Sequence, residues 1–317
     1  MKDIIHFKFF ENNDILIVVA LIFGILIFAS TLFFIVGKVK PNANVKELKD
    51  RTKSWWVMAV MFIGATIFST KISYVAIAFL SFVAFRELYS MLGFRDSDRR
   101  AIFWAIFSIP IQYYLAYIGW YGAYIIFIPV VMFLLLPLRL VLKGDTIGIT
   151  KSMASLHWTL MLTVFGISHM AYLLSLPTLE GFSSGGRGLL LFLVFLTEIN
   201  DVMQFTWGKL LGRHKIIPKV SPNKTWEGFV GGLISTTIIG YFLGFLTPLT
   251  DYQVIFVSFM IAFSGFVGDI VMSSIKRDVG VKDTGETIPG HGGILDRIDS
   301  LAYSAPAFFH IVYYLAY

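Results

Sequence analysis

The residues best suited to chemistry lie between Asp269 and Asp299. Asp269 stands one turn ahead of Ser273. The run Ser273-Ser274-Ile275-Lys276-Arg277 follows, then Lys282-Asp283, Pro289-Gly290-His291-Gly292-Gly293 and Asp296-Arg297-Ile298-Asp299. The acids offer the hard oxygen ligands that a divalent cation such as Mg²⁺ takes. Lys276, Arg277, Lys282 and Arg297 are cations of the kind that neutralise phosphates. Gly290, Gly292 and Gly293 let backbone approach a ligand and present amide donors to it. A solvated loop is the bland alternative. The gathering of acids, cations, hydroxyls and glycines in one segment favours a phosphate and metal site over it.

Two further clusters precede this one. Glu198, Asp201 and Gln204 are spaced by three, so on a helix they share a face. Carboxylates inside an apolar run are costly unless they meet cations, water or a cavity. They read equally well as a nucleotide or metal contact and as ordinary acids at a helix end. The loop Lys209 to Gly228 carries five cations and ends in Ser221-Pro222-Asn223-Lys224-Thr225-Trp226-Glu227-Gly228. Topology signalling and contact with anionic headgroups explain its charge. They do not explain why Ser, Lys, Trp and Glu press directly against the next apolar run. No G-x-x-x-x-G-K-[ST] loop and no G-x-G-x-x-G occurs, so a nucleotide here would bind between helices. His157, His169 and His310 read as packed or interfacial histidines. Trp55-Trp56 reads as an interface anchor.

The elements that carry these groups are set by composition. Of 317 residues 56% are apolar and 15% charged, with a mean hydropathy of +0.75. A soluble domain could not hide that much apolar surface. The absence of cysteine excludes disulfides and thiolate metal sites. We therefore expect an all-α, polytopic transmembrane protein with nine to ten spans: 15–36, 55–70, 73–91, 101–118, 121–142, 157–176, 188–206, 229–248, 253–273 and 300–317. The split near Ser69-Thr70-Lys71 is the weakest of these boundaries. With the N-terminus outside, all but Lys2, Lys8, Lys71, Arg86 and Arg187 of the 26 Lys and Arg fall on the cytoplasmic side. That asymmetry is what the positive-inside rule demands. The net charge of +6 then reflects topology, and no nucleic acid is expected as a partner. Acids and Gly-rich loops begin at Glu198, which suggests a transmembrane scaffold over 1–187 and a catalytic transmembrane region over 188–317. Gly228, Gly232, Thr236, Gly240 and Gly244 recur at a four-residue step and predict close helix packing.

The segment Ser273 to Asp299 resembles the signature of the phosphatidate cytidylyltransferase (CDP-diacylglycerol synthase) family: Ser-x-apolar-Lys-Arg, Lys-Asp, His-Gly-Gly and Asp-Arg-apolar-Asp, each element at its spacing. The block from Ser221 to Gly228 resembles a second family block, with Asn223 in place of a Lys, and Asn200-Asp201 matches a family pair. The resemblance is specific over 198–299 and general before that. It implies that CTP and phosphatidate give CDP-diacylglycerol and pyrophosphate, with Mg²⁺ and a monovalent cation such as K⁺. It implies Asp269 and Asp296 as metal ligands. Lys276, Arg277 and Arg297 become phosphate clamps, and Asp296 acts with them in catalysis. Asp201, Ser221, Lys224, Ser273, Lys282 and His291 become substrate contacts. A phosphate monoester is already an anionic nucleophile, so the implied work is charge neutralisation and alignment. The expected location is the plasma (inner) membrane with the site facing the cytoplasm, phosphatidate and membrane lipid are the expected lipid partners, and a homodimer is the candidate assembly. Val202-Met203-Gln204-Phe205-Thr206 departs from the family, Gln204 above all, which leaves room for another lipid acceptor. Rival readings are a CTP-dependent lipid kinase, disfavoured by the complete signature, and an ion-coupled transporter, disfavoured by polar groups gathered at one face without repeated halves.

Overall fold

A backbone immersed in hydrocarbon must satisfy its own hydrogen bonds, and a helix does so within one segment. The computed structural model describes residues 12–39, 45–67, 69–285 and 292–317. Among them the regular structure is helical, with one isolated antiparallel bridge, Lys215 to Thr225. In chain order the helices are α1 (Asn13–Val39), α2 (Val45–Ile67), α3 (Thr70–Met91), α4 (Arg99–Tyr117), α5 (Tyr121–Ile126), α6 (Phe133–Val141), α7 (Ile149–Leu160), α8 (Ile167–Leu173), α9 (Gly185–Leu211), α10 (Trp226–Phe242), α11 (Asp251–Asp278), α12 (Leu295–Ile298) and α13 (Leu301–Ala316). A π-helical stretch, Phe127–Met132, joins α5 to α6, and another, Met161–Gly166, joins α7 to α8.

Each predicted span falls on one of these rods. Among the described residues five helical stretches are long and apolar enough to cross a membrane by length and composition: Asn13–Val39, Thr70–Met91, Tyr121–Val141, Gly185–Leu211 and Asp251–Asp278. The break near Ser69 is real. α2 ends at Ile67, and the Ser69 Oγ caps α3 by accepting from the Ile72 amide at 3.2 Å. Several boundaries differ from the hydropathy reading for one reason: hydropathy marks where apolar residues stop, not where the helix stops. α2 begins at Val45 and α7 at Ile149, ahead of the predicted 55 and 157, and α9 runs on to Leu211. α11 runs on to Asp278, so Lys276 and Arg277 are helical rather than in a loop. α10 ends at Phe242, which puts Gly244 in the 3₁₀ turn Gly244–Leu246.

α9, α10, α11 and α13 form the packed bundle that carries the polar groups. Gly228, Gly232, Thr236 and Gly240 line the buried face of α10. A Cβ on Gly228 would lie 2.7 Å from the Gln204 carbonyl oxygen of α9. Gly228→Val is therefore expected to destabilise the fold by about 1–3 kcal/mol through overpacking. Gly24→Ala, with open space around it, leaves the melting temperature in detergent unchanged as a control. The histidines pack as expected. His169 is buried, bonds the Phe165 carbonyl through Nδ1 at 2.7 Å, and lies among Tyr124, Phe165 and Phe309. The ring of His157 meets that of Phe133, and the ring of His310 meets that of Tyr121. The N-terminal half meets the bundle where α8 packs on α13 and where α1 and α8 touch α9, and α3 touches the short helix α12.

Candidate functional site

Asp269, Ser273 and Lys276 follow one another at helical spacing on α11, so they lie along one face. The Ser273 hydroxyl donates to Asp269 Oδ1 at 3.2 Å. Lys276 Nζ donates to Asp296 Oδ1 at 2.8 Å. The two side chains are only 11% and 9% exposed. At that depth a lone charge would be costly, so each requires the other. The second Asp296 oxygen accepts from the Thr284 amide (2.8 Å), the Thr284 hydroxyl (3.0 Å) and the Gly293 amide (3.0 Å). Burial pushes the Asp296 carboxyl up, but Lys276 and these amides outweigh it and hold it below its ordinary value. Asp296 is thus a fully ionised, rigidly held carboxylate. Gly292 has φ +82°, in the left-handed region, and a Cβ there would meet Asp296 Oδ2 at 2.7 Å. The loop closes this tightly because that residue is glycine.

A second ion pair lies beside the first. Lys224 Nζ stands 2.5 Å from Asp269 Oδ2, donates to Gln204 Oε1 at 3.0 Å and sits 5.2 Å above the Phe266 ring. Burial alone would lower Lys224, yet Asp269 and Asp201 raise it above its ordinary value, so the ammonium is charged. The loop between α9 and α10 delivers this lysine. The Trp226 amide donates to the His214 carbonyl, the Ile216 amide to the Lys224 carbonyl, and the Lys224 amide to the Ser221 carbonyl. Thr225 caps α10 through Gly228. Glu227 ties down the loop's start, accepting from the Arg213 and His214 amides and from His214 Nδ1 at 2.6 Å.

That tie gives a pH dependence. The His214 hydrogen bond, with the backbone amides, pulls Glu227 from 4.5 to about 2. A depressed carboxylate stabilises the folded loop above its unfolded value and loses that effect as pH falls through its folded value. Amide-exchange protection of Arg213 and His214, corrected for intrinsic rates, is expected to hold at pH 5 and fade between about pH 4.5 and 2. Glu227→Gln is expected to lower it at pH 5 and to remove its pH dependence.

Further acids surround the two pairs. Asp201 Oδ2 accepts from the Ser300 hydroxyl at 3.1 Å, while its Oδ1 is buried with no hydrogen-bond partner. Glu198 lies within electrostatic reach of Asp201 and Arg297. Asp299 is within reach of Asp269, Asp201 and Lys276. Five acids, Glu198, Asp201, Asp269, Asp296 and Asp299, thus lie around three cationic side chains, Lys224, Lys276 and Arg297. The donor set is all oxygen, the kind that suits Mg²⁺, and the unpartnered Asp201 oxygen is a free ligand atom. Among the described residues no three His, Asp or Glu side chains converge as a ready metal cluster. The ammonium groups of Lys224 and Lys276 occupy oxygens of Asp269 and Asp296 instead.

Seven of the sequence-predicted residues come together: Asp201, Lys224, Asp269, Ser273, Lys276, Asp296 and Arg297. Others do not. Arg277 is exposed and donates to the carbonyls of Val220 and Val281, both at 3.2 Å, so it straps loops together. Lys282 is exposed. The Ser221 backbone shapes the turn that presents Lys224, its amide donating to Ile217 and its carbonyl accepting from Lys224. His291 lies outside the described residues.

Sequence reading missed Glu87. This buried α3 acid accepts from the amides of Ile294 (3.0 Å) and Leu295 (2.8 Å) and from the Thr284 hydroxyl (3.2 Å). A Cβ on Gly293 would lie 2.8 Å from Glu87 Cδ. Glu87 is a post beneath the loop that holds Asp296. The signal was available: an acid inside an apolar span demands a partner. Glu87→Ala leaves buried amides without acceptors, at about 1–3 kcal/mol each. It is expected to lower the melting temperature and the activity together, and Glu87→Gln to restore part of both.

The family model for the cytidylyltransferase family matches residues 49–315. The uncharacterized protein YnbB of Escherichia coli (strain K12) is 39% identical over 300 residues, covering 94% of this chain and 98% of that one. The phosphatidate cytidylyltransferase of Mycobacterium leprae (strain TN) is 38% identical over 144 residues, covering 45% of this chain and 46% of its own. That of Staphylococcus haemolyticus (strain JCSC1435) is 40% identical over 125 residues, or 39% of this chain and 48% of its own. The match thus spans just under half the length of each of these two enzymes. With apolar helices of membrane-spanning length carrying buried ion pairs, and a family match over most of its length, this chain belongs to the cytidylyltransferase family and is an integral membrane nucleotidyltransferase.

Proposed function

We propose that the protein transfers CMP from CTP to phosphatidate, forming CDP-diacylglycerol and releasing pyrophosphate. The observation that carries this reading is the buried Lys276–Asp296 pair beside Lys224–Asp269: two cations held ready by acids at the end of apolar helices. The lipid phosphate attacks the α-phosphorus of CTP, a new P–O bond forms, and the bond to the β-phosphate oxygen breaks. Both reactants are anions, so the chain's task is to cancel repulsion and align them. Lys276, Arg297 and Lys224 bind phosphate oxygens, with Lys224 and Asp201 on the CTP side. Asp269 and Asp296 hold Mg²⁺, which neutralises charge on the triphosphate when bound; a monovalent cation such as K⁺ is a further candidate. Residues 188–317 form the catalytic region, propped by Glu87 from the scaffold. The site faces the cytoplasm, where CTP is made, from the inner membrane.

A second reading keeps CTP and changes the lipid phosphate. It is favoured by Gln204, which departs from the family pattern yet holds Lys224, and by the partial match to the named enzymes. Purified protein in mixed micelles with CTP, Mg²⁺ and phosphatidate is expected to release one pyrophosphate per CDP-diacylglycerol, and EDTA to stop it. Release of CDP would replace the proposal with a kinase. Turnover only with another lipid phosphate would establish the second reading.

A further inference from the structure

Away from the site, α4 and α6 enclose a groove of about 210 Å³ lined by Trp104, Leu135, Leu138, Arg139 and Leu142. Its walls are apolar and its surroundings remain so: Phe103 is 64% exposed and Leu134 65%. Such a surface suits lipid chains. The arginine does not fit a simple lipid face. Arg139 Nε is shut off from solvent and has no hydrogen-bond partner, and no ion pair of Arg139 occurs among the described residues. A helix-end arginine that only reached for water would carry its guanidinium out of the apolar layer. Here the Nε edge of that group is enclosed by protein, and Arg139 forms part of the groove lining. The same end of the α4–α6 pair carries exposed Arg100 and Lys143, whereas Arg99 is engaged by Asp96 at 2.8 Å.

We propose that this groove binds an anionic membrane phospholipid, its phosphate on Arg139 and an acyl chain along Trp104, Leu135 and Leu138. The charge complementarity is direct: a guanidinium takes a phosphate through two parallel N–H donors, and Arg100 and Lys143 add positive charge at the same end. The apolar walls supply what a free phosphate could not use. The site is separate from the catalytic cluster and does not depend on which lipid phosphate is the substrate.

Native mass spectrometry of the delipidated full chain tests this, with phosphatidylglycerol as probe and phosphatidylcholine of the same chains as comparison. The wild type is expected to hold its first phosphatidylglycerol about tenfold more tightly than Arg139→Gln, as loss of one charge-assisted contact implies. Phosphatidylcholine, whose choline cation offsets the charge of the same phosphate, is expected to lose less between the two. Leu138→Trp, which fills the groove and keeps the charge, is expected to weaken phosphatidylglycerol similarly and serves as the reading if Arg139→Gln does not fold. Equal phosphatidylglycerol affinity in the wild type and in every variant that folds would overturn the proposal. So would displacement of the lipid by millimolar glycerol 3-phosphate, since the apolar walls would then play no part.

Discussion

Asp296→Asn is expected to reduce turnover by about a thousandfold, the scale for removing a central electrostatic group together with its proposed metal contact. The substitution preserves shape and changes only charge and one donor. Asp296 accepts four hydrogen bonds: Lys276 on one oxygen, and Thr284 twice and Gly293 on the other. An amide nitrogen on either side would face donors with a donor. Lys276, only 11% exposed, would lose its hydrogen-bonded counter-charge, and breaking a buried pair costs about 3–5 kcal/mol. Activity per folded molecule, with circular dichroism and thermal unfolding on the same samples, separates the two effects. A variant that keeps even a tenth of wild-type turnover would remove Asp296 from the reaction.

Lys224→Met is expected to act through CTP rather than through the lipid. The lysine joins Asp269 to Gln204 and lies over Phe266, so methionine fills the space without the charge. It leaves Asp269 facing Asp201 and Asp299 with less compensation. A rise of about a hundredfold in KM for CTP is expected from the lost charge-assisted contact, with KM for phosphatidate little changed. Lys224→Arg should fall between, because its planar fork cannot copy a point contact at 2.5 Å. Steady-state kinetics with each substrate varied in turn will show it. Equal effects on both substrates would mean that Lys224 supports the fold alone.

Much of this was legible in the sequence because it rests on local patterns. The apolar runs place the helices, and the glycine step at 228, 232 and 240 places the α9–α10 contact. Asp269, Ser273 and Lys276 were separable as one helical face from their spacing, had the end of α11 been extended past its apolar residues. What sequence could not show was pairing across the chain. Nothing near Glu87 says that its carboxylate holds amides two hundred positions away. Arg277 and Lys276 are adjacent and chemically alike. One points into the bundle to Asp296 and the other out to Val220, a difference fixed by a single step of about 100° around α11. Gln204 read as a departure from a pattern, and only the folded loop shows it gripping Lys224.

Position-specific labelling decides which phosphorus of CTP is attacked. Protein in micelles with phosphatidate and Mg²⁺ is given CTP carrying ³²P at the α position in one reaction and at the γ position in another. The expected result is α-label in the organic-soluble lipid and γ-label in aqueous pyrophosphate. Label from the γ position in the lipid would contradict attack at the α-phosphorus and make the protein a CTP-dependent kinase.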